Sequence, residues 1–361
     1  MPIASLEVDN FRNLRQIALQ CSPSLNLIVG ENASGKTSLL EALYYLGRGR
    51  SFRTRQVREL IHTGQDAFRI VAILSEGEGG RRIPVGIQRS LQEITARIDG
   101  APVRSLAELA IQVPILLLNP DSHRLLEDGP QQRRRFIDWG LFHTDQTFLT
   151  AWKRYGTALR NRNAALRANS PNRVVDAWDE ELAAGSTTLD SLRNAFCKAL
   201  ESVLRPLIEA TLGEALEVEY DRGWPQGQER SLAEWLRRGR DQDRRQGYTR
   251  LGPHRADFQI RFAGRTIAEY LSRGQQKLLV IALVLAQARL YRAQRDSACI
   301  LLIDDLPAEL DRVHRARVMR CLAGMDTQLF VTAIEGSLLD IAAWPAVRVF
   351  KMDHGAIGKM V

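Results

Sequence analysis

Residues Gly30-Glu31-Asn32-Ala33-Ser34-Gly35-Lys36-Thr37 match G-x-x-x-x-G-K-[ST] in full, a pattern that binds phosphate when it joins a strand to a helix. Gly30 and Gly35 let the backbone curl so that successive N–H groups face one concavity, and the following helix adds its positive N-terminus. Lys36 can reach the β- and γ-phosphates of ATP, and the Thr37 hydroxyl can ligate Mg²⁺. A second carrier of chemistry is Cys299-Ile300-Leu301-Leu302-Ile303-Asp304-Asp305, an apolar run ending in two acids. Such a strand sets Asp304 at its C-terminal edge, where it can hold Mg²⁺ directly or through water. A core strand ending in a solvated turn has the same composition; the phosphate loop upstream favours catalysis. The third carrier is Leu271-Ser272-Arg273-Gly274-Gln275-Gln276-Lys277. Ser272 supplies a hydroxyl, and the residues Arg273, Gly274 and Gln275 open a helix, so the segment offers a second phosphate site. One chain has no use for two γ-phosphate sites on one nucleotide. The economical arrangement is a head-to-tail homodimer in which each segment completes the partner's site. The plainer reading of Ser272 is an N-cap on an amphipathic helix.

These groups need a strand, a loop and a helix in fixed order, and the pattern supplies them. Leu25–Val29 is an unbroken apolar run that predicts a buried strand, and the spacing after the loop predicts a helix from Lys36 to about Leu46. Alternation at residues 3–8, before a turn at Asn10–Asn13, and the runs FRIVAIL, IPVGIQ and EITARI predict further strands. From about 131 to 245 the sequence reads as several helices, with apolar residues at Leu149, Trp152, Tyr155 and Leu159. Long polar connections are expected near 166–175 and 222–245. A long helix is predicted from about Arg273 to Gln294, then a strand at Cys299–Ile303, a helix at about 309–323 and strands near 328–334 and 346–352. The expected organisation is an α/β head split as 1–130 and 246–361 by a mainly helical insertion lobe, 131–245.

Composition narrows the class. The chain has 361 residues, 45% hydrophobic and 25% charged, enough for two or three domains. No apolar run reaches 18 residues, so no membrane partner is implied by the sequence. The opening, MPIASLEVDNFRNL, alternates and carries charges instead of a secretory apolar core. Four cysteines with no C-x-x-C pair suit a reducing compartment, and a cytoplasmic location is expected. The formal charge is +8, and six of the 50 basic residues are Lys, the other 44 Arg. A GC-rich genome favours Arg codons; guanidinium groups also match phosphate geometry, as a polyanion surface requires.

Several segments carry a family resemblance. Leu271–Lys277 resembles the LSGGQ signature of ABC-type ATPases, and Pro307-Ala308-Glu309-Leu310-Asp311 resembles their D-loop, which marks Glu309 and Asp311. Together the motifs resemble the ABC/SMC-like ATPase superfamily, and more closely its RecF family. The closer likeness is carried by Leu6-Glu7-Val8-Asp9-Asn10-Phe11-Arg12-Asn13-Leu14, Gly47-Arg48-Gly49-Arg50-Ser51-Phe52-Arg53 and Gly252-Pro253-His254-Arg255-Ala256-Asp257. Arg273 in the signature, Ile303-Asp304-Asp305, and Gln132-Arg133-Arg134-Arg135-Phe136-Ile137-Asp138 agree with it. The resemblance covers nearly the whole chain. It implies an α/β fold, an ABC/SMC-like P-loop ATPase head with an inserted mainly helical lobe. It implies ATP and Mg²⁺ as cofactors, an ATP-dependent homodimer, and sequence-independent DNA binding at duplex–single-strand junctions. It further implies RecO and RecR as partners in loading RecA at gaps, and so roles in repair, replication restart and the SOS response. Two readings of other classes stand beside it. A P-loop kinase or phosphotransferase needs no signature helix, dimer or DNA. An ABC transporter's nucleotide-binding subunit predicts Gly where Arg273 stands.

The departures from the ABC pattern are informative. The acid after Asp304, which the resemblance marks as the one that positions the attacking water, is Asp305, one methylene shorter than the usual Glu; weak ATPase activity is therefore expected, with ATP acting mainly as a dimerisation switch, and the resemblance implies stimulation by DNA. The switch histidine is missing; Thr332 stands at about its place. No glutamine occupies the turn at Asn119-Pro120-Asp121, where a Q-loop belongs. His254 and Arg255 can serve the nucleotide or the core. Phe11, Arg12 and Asn13 can wall the base or form a hairpin turn. The basic stretch Arg48, Arg50, Arg53, Arg55 and Arg58, with Ser51 and Thr54, suits sequence-independent phosphate contacts. A solvated charged face is its plain counterpart. Arg133–Arg135 and the run Arg237, Arg238, Arg240, Arg244 and Arg245 are similar, the latter interleaved with Asp241 and Asp243.

Overall fold

The apolar run Leu25–Val29 is a strand, and its neighbours explain why it lacks polar residues on either face. It lies inside a six-stranded sheet ordered Ala356–Ile357, Val347–Asp353, Leu25–Val29, Gln328–Ala333, Ile300–Ile303 and Ile115–Leu118. The last five run parallel, and a parallel sheet is ordinarily covered on both sides. A second six-stranded sheet is antiparallel, ordered Leu14–Gln20, Ile3–Phe11, Ala67–Ser75, Arg82–Ser90, Ile94–Ile98 and Ala101–Pro102. Its strands alternate: Phe68, Ile70, Ala72 and Leu74 are buried. The helix Lys36–Arg48 joins the two sheets. Its Leu39, Leu40, Leu43 and Leu46 are fully buried in one core with Leu6, Val8 and Ile70 of the antiparallel sheet and Ile28, Leu302 and Phe330 of the parallel one.

This computed structural model describes residues 1–76, 79–213, 215–225, 231–295, 297–306 and 310–358. The chain divides into two compact units, residues 1–122 with 291–361, and residues 123–290. The second unit therefore includes the segment around Ser272, which the sequence reading assigns to the head.

The second unit contains the helices Pro130–Thr144, Phe148–Arg167, Asn172–Leu212 and Leu232–Gln246. It also has a three-stranded antiparallel sheet ordered Arg265–Thr266, Asp257–Phe262, Leu216–Asp221. One expectation needs correction. The polar stretch expected near 222–245 is largely helix: Ser231 and Glu234 form a capping box at the start of Leu232–Gln246. Of the apolar residues Leu149, Trp152, Tyr155 and Leu159, Tyr155 is buried and Trp152 is 48% exposed. The buried face of that helix is Phe148, Tyr155, Ala158, Arg162, Ala165 and Leu166.

An arginine on a buried face must find acids, and Arg162 does. Its side chain is wholly buried and meets Asp179 at 2.6 Å and Asp243 at 2.8 Å. It also donates to Thr249 Oγ1 at 2.8 Å. Arg240 shares Asp179 and Arg250 shares Asp243, each at 2.8 Å. Of one basic run, in which Arg238 and Arg245 are exposed, this part of the fold takes up three members: Arg237 pairs with Glu180, Arg240 with Asp176 and Asp179, and Arg244 donates to Ser170 and Asn172. Arg133 likewise grips Asp257 with two bonds of 2.7 and 2.9 Å, and Arg134 donates to the Ala256 carbonyl. These arginines are bound within their own unit and are not a free phosphate-contact surface.

Candidate active site

The phosphate loop follows the strand Leu25–Val29, and two of its glycines are demanded by the fold. A Cβ at Gly30 would lie 2.3 Å from the Met352 carbonyl oxygen of the adjacent strand. Gly35 sits at φ 112, where L side chains are strained, and a Cβ there would crowd Leu14 and Asn13. The helix therefore starts at Lys36 with its first N–H groups at the loop. Lys36 is 8% exposed, and its Nζ donates to the Gly30 and Glu31 carbonyls at 2.7 Å each. Burial pushes its pKa down, and the charges of Asp305 and Asp304 push back.

The acidic pair lies beside the first turn of that helix. Thr37 Oγ1 is 3.1 Å from each carboxylate oxygen of Asp304. Asp304 is 8% exposed. Burial pushes its carboxyl above the usual range, against the bonds from Thr332 and Thr37, and the Asp305 charge raises it further. A divalent cation would return that carboxyl to its charged form. Asp305 adopts φ 53, an uncommon conformation for a non-glycine residue. Two buried oxygens here, Ser34 Oγ and Asp305 Oδ1, have no hydrogen-bond partner among the described residues. Unmet donors and acceptors around a hydroxyl–carboxylate pair fit a phosphate ester with its Mg²⁺.

Two sets of contacts escaped the sequence reading. Thr332 Oγ1 donates to Asp304 Oδ1 and accepts from the Asp305 N–H, both at 2.8 Å. Glu41 is fully buried on the phosphate-loop helix. It receives Arg12 (Nη2 at 2.8 Å, and Nε) and the Ser51 hydroxyl, with Arg53 at 3.6 Å. Ser51 Oγ in turn accepts the N–H groups of Arg53 and Thr54. The available signal was one carboxylate inside the apolar run Leu39-Leu40-Glu41-Ala42-Leu43.

The other candidates sort as follows. Phe11 is fully buried against Phe68 and Tyr45, so it packs the core and does not wall a nucleotide. Asn13 is exposed next to the loop, its amide 3.5 Å from the Ala33 carbonyl. Arg50, Arg53, Arg55 and Arg58 are exposed, whereas Arg48 is partly buried, its guanidinium over the Tyr44 ring. Asp311 caps the helix Arg312–Ala323, accepting from the Val313 and His314 N–H groups. Glu309, with Pro307 and Ala308, lies outside the described residues. In the second unit, Ser272 and Gln275 cap each other at the start of the helix Arg273–Arg295. Ser272, Arg273 and Gly274 are exposed, and a Cβ at Gly274 would meet nothing within 4 Å.

His254, also in the second unit, is a structural histidine. Nδ1 lies 2.5 Å from the Tyr155 hydroxyl and Nε2 2.9 Å from the Thr249 carbonyl. Burial pushes its pKa down to about 4 from 6.5. Between those values the unfolded chain binds a proton that the fold excludes. The contribution of His254, up to about 3 kcal/mol, is therefore present above pH 6.5 and lost as pH falls toward 4. Urea unfolding of wild type and His254→Gln from pH 7 to 5 checks this. Wild type should be the more stable at pH 7, and the gap should narrow as pH falls.

A phosphate loop and an acidic pair on one parallel sheet, with an antiparallel sheet packed on the loop's helix, define an ABC/SMC-like P-loop ATPase. The family described as RecF/RecN/SMC N terminal domain matches residues 2–357. The DNA replication and repair protein RecF of Thioalkalivibrio sulfidiphilus (strain HL-EbGR7) is 43% identical over 360 residues, covering 99% of each chain. That of Azotobacter vinelandii (strain DJ / ATCC BAA-1303) is 44% identical over 368 residues, covering 99% of this chain and 98% of the relative. The solved structure of the recombination mediator protein RecF-ATP shares the fold at TM-score 0.88 and 24% identity, covering 100% of this chain and 97% of that one. An Smc head bound to the C-winged helix domain of ScpA shares it at TM-score 0.62 and 14% identity, covering 100% of this chain and 97% of that one. The chain belongs to the RecF family.

Proposed function

We propose that this chain is a cytoplasmic, ATP-dependent DNA-binding protein of recombinational repair, and that ATP closes two copies into a clamp. The observation that carries the reading is the Thr37 hydroxyl 3.1 Å from both oxygens of Asp304, beside Lys36 on the same helix turn. Lys36 and the N–H groups of residues 30–37 bind the phosphates. Thr37 and Asp304 hold Mg²⁺, which when bound neutralises charge developing on the phosphates. Asp305 positions the attacking water, and its shorter side chain makes hydrolysis slow. Ser272, Arg273, Gly274 and Gln275 act on the partner copy's nucleotide. An exposed glycine that its own fold does not require supports a role toward another molecule. Asp311 and Glu309 belong to the same interface. The clamp holds duplex through phosphate contacts from Arg50, Arg53, Arg55 and Arg58, with Arg48 buttressing them, and RecO and RecR share the task of loading RecA at gaps. RecF relatives above 40% identity over nearly the full length support this assignment.

Sedimentation velocity with Mg²⁺-ATP, Mg²⁺-ADP, neither, and ATP plus a gapped duplex tests the switch. A dimer with ATP is expected, and Ser272→Arg should bind ATP as wild type does yet stay monomeric. A Ser272→Arg protein that still dimerises on ATP sinks the role in trans. A monomer in all conditions sinks the clamp.

A further inference from the structure

We propose that Thr332 is a positioning residue for Mg²⁺-dependent nucleotide binding, through its hydroxyl bridge between the Asp304 carboxylate and the Asp305 backbone. The proposal rests on Thr37 and Asp304 being the Mg²⁺ ligands. Its ground is the geometry of neighbouring strands. Gln328–Ala333 runs parallel to Ile300–Ile303 with Ile303 opposite Val331, so Thr332 falls level with the first acid. Every residue of that strand is buried, and Thr332 is 0% exposed. A hydroxyl has one proton to give. Thr332 gives it to Asp304 Oδ1 and accepts the Asp305 N–H, both at 2.8 Å.

Two consequences follow. The hydroxyl has no proton left for a phosphate oxygen, so Thr332 does not act on the nucleotide as a switch histidine would. Instead it fixes the carboxylate about its own axis, with both oxygens 3.1 Å from Thr37 Oγ1 and with Oδ2 outside the Thr332 bond. A second bond, in which Thr332 Oγ1 accepts, holds the N–H of Asp305, a residue in the uncommon φ 53 conformation. A β-branched side chain suits this task, because its restricted χ1 aims the hydroxyl.

The test is equilibrium binding of fluorescent mant-ATP to the full chain, titrated with Mg²⁺ and repeated in EDTA. The proteins are wild type, Thr332→Val, Thr332→Ser and Asp304→Asn. In Thr332→Val the Mg²⁺ concentration for half-maximal effect should rise about tenfold, as when partners that orient metal ligands are removed. Binding in EDTA should stay at the wild-type level, and Thr332→Ser should titrate like wild type. If thermal melting shows Thr332→Val unfolded, Thr332→Ala takes its place. A Val variant that titrates like wild type, or a Ser variant as impaired as Val, overturns the positioning role. Mg²⁺ dependence that survives in Asp304→Asn overturns instead the ligand assignment beneath it, so the two failures are distinguishable.

Discussion

Lys36→Ala should weaken ATP binding about 100-fold, the scale of a charge-assisted contact of about 3 kcal/mol. The ammonium lies at the phosphate loop, where the proposed function has it meet a phosphate group. Nζ already donates to the Gly30 and Glu31 carbonyls, and it lies within the field of Asp304 and Asp305. Those acids make the site unfavourable for a polyphosphate unless cations offset them, and Lys36 is a cation that the chain itself provides. Lys36→Arg is not a rescue. Its planar fork needs a different approach from a compact ammonium. The loop has no slack to adjust, because Gly30 abuts the Met352 carbonyl and Gly35 abuts Leu14. Equilibrium nucleotide binding of both variants is the check; wild-type affinity in Lys36→Ala would remove the loop from the nucleotide site.

The second large effect is on stability. Arg162→Leu should destabilise the second unit by about 3–5 kcal/mol, because breaking a buried pair strands the remaining charge. The side chains of Arg162 and Asp179 are fully buried, and that of Asp243 is 3% exposed. Arg240 and Arg250 stay bound to the two acids, which places the expected loss toward the low end. The penalty comes from the abandoned carboxylates, so Arg162→Leu combined with Asp179→Asn should recover part of it. Urea unfolding with a shifted midpoint for the single variant, and a smaller shift for the pair, is the expected pattern. An Arg162→Leu protein as stable as wild type would contradict it.

The elements that hold the phosphate loop were legible because each is specified within a short window. Leu25–Val29 is a strand at its predicted ends, and the predicted helices after Lys36 and after Ser272 are Lys36–Arg48 and Arg273–Arg295. Glycines at strained or crowded positions, unbroken apolar runs and a 3.6-residue period are local signals. The acidic pair was legible for the same reason, since a short apolar run that ends in charge reads as a buried strand reaching an edge.

What the partners are was decided only by the tertiary structure. Arg237, Arg240 and Arg133 look like surface cations along the chain, yet their acids stand 57 to 124 positions away. Leu216–Asp221 became a strand because Asp257–Phe262 lies beside it. Phe11 belongs to the core because Phe68 comes to it from another strand. Thr332 was visible as a departure from a motif, but its bonds to Asp304 and Asp305 arise from the pairing of two strands. A residue's conformation is largely set by its neighbours in sequence, whereas its charge and hydrogen bonds are completed by neighbours in space. The pattern of residues therefore marked the phosphate loop and the acidic pair, and the packing of strands determined which side chains bond to them.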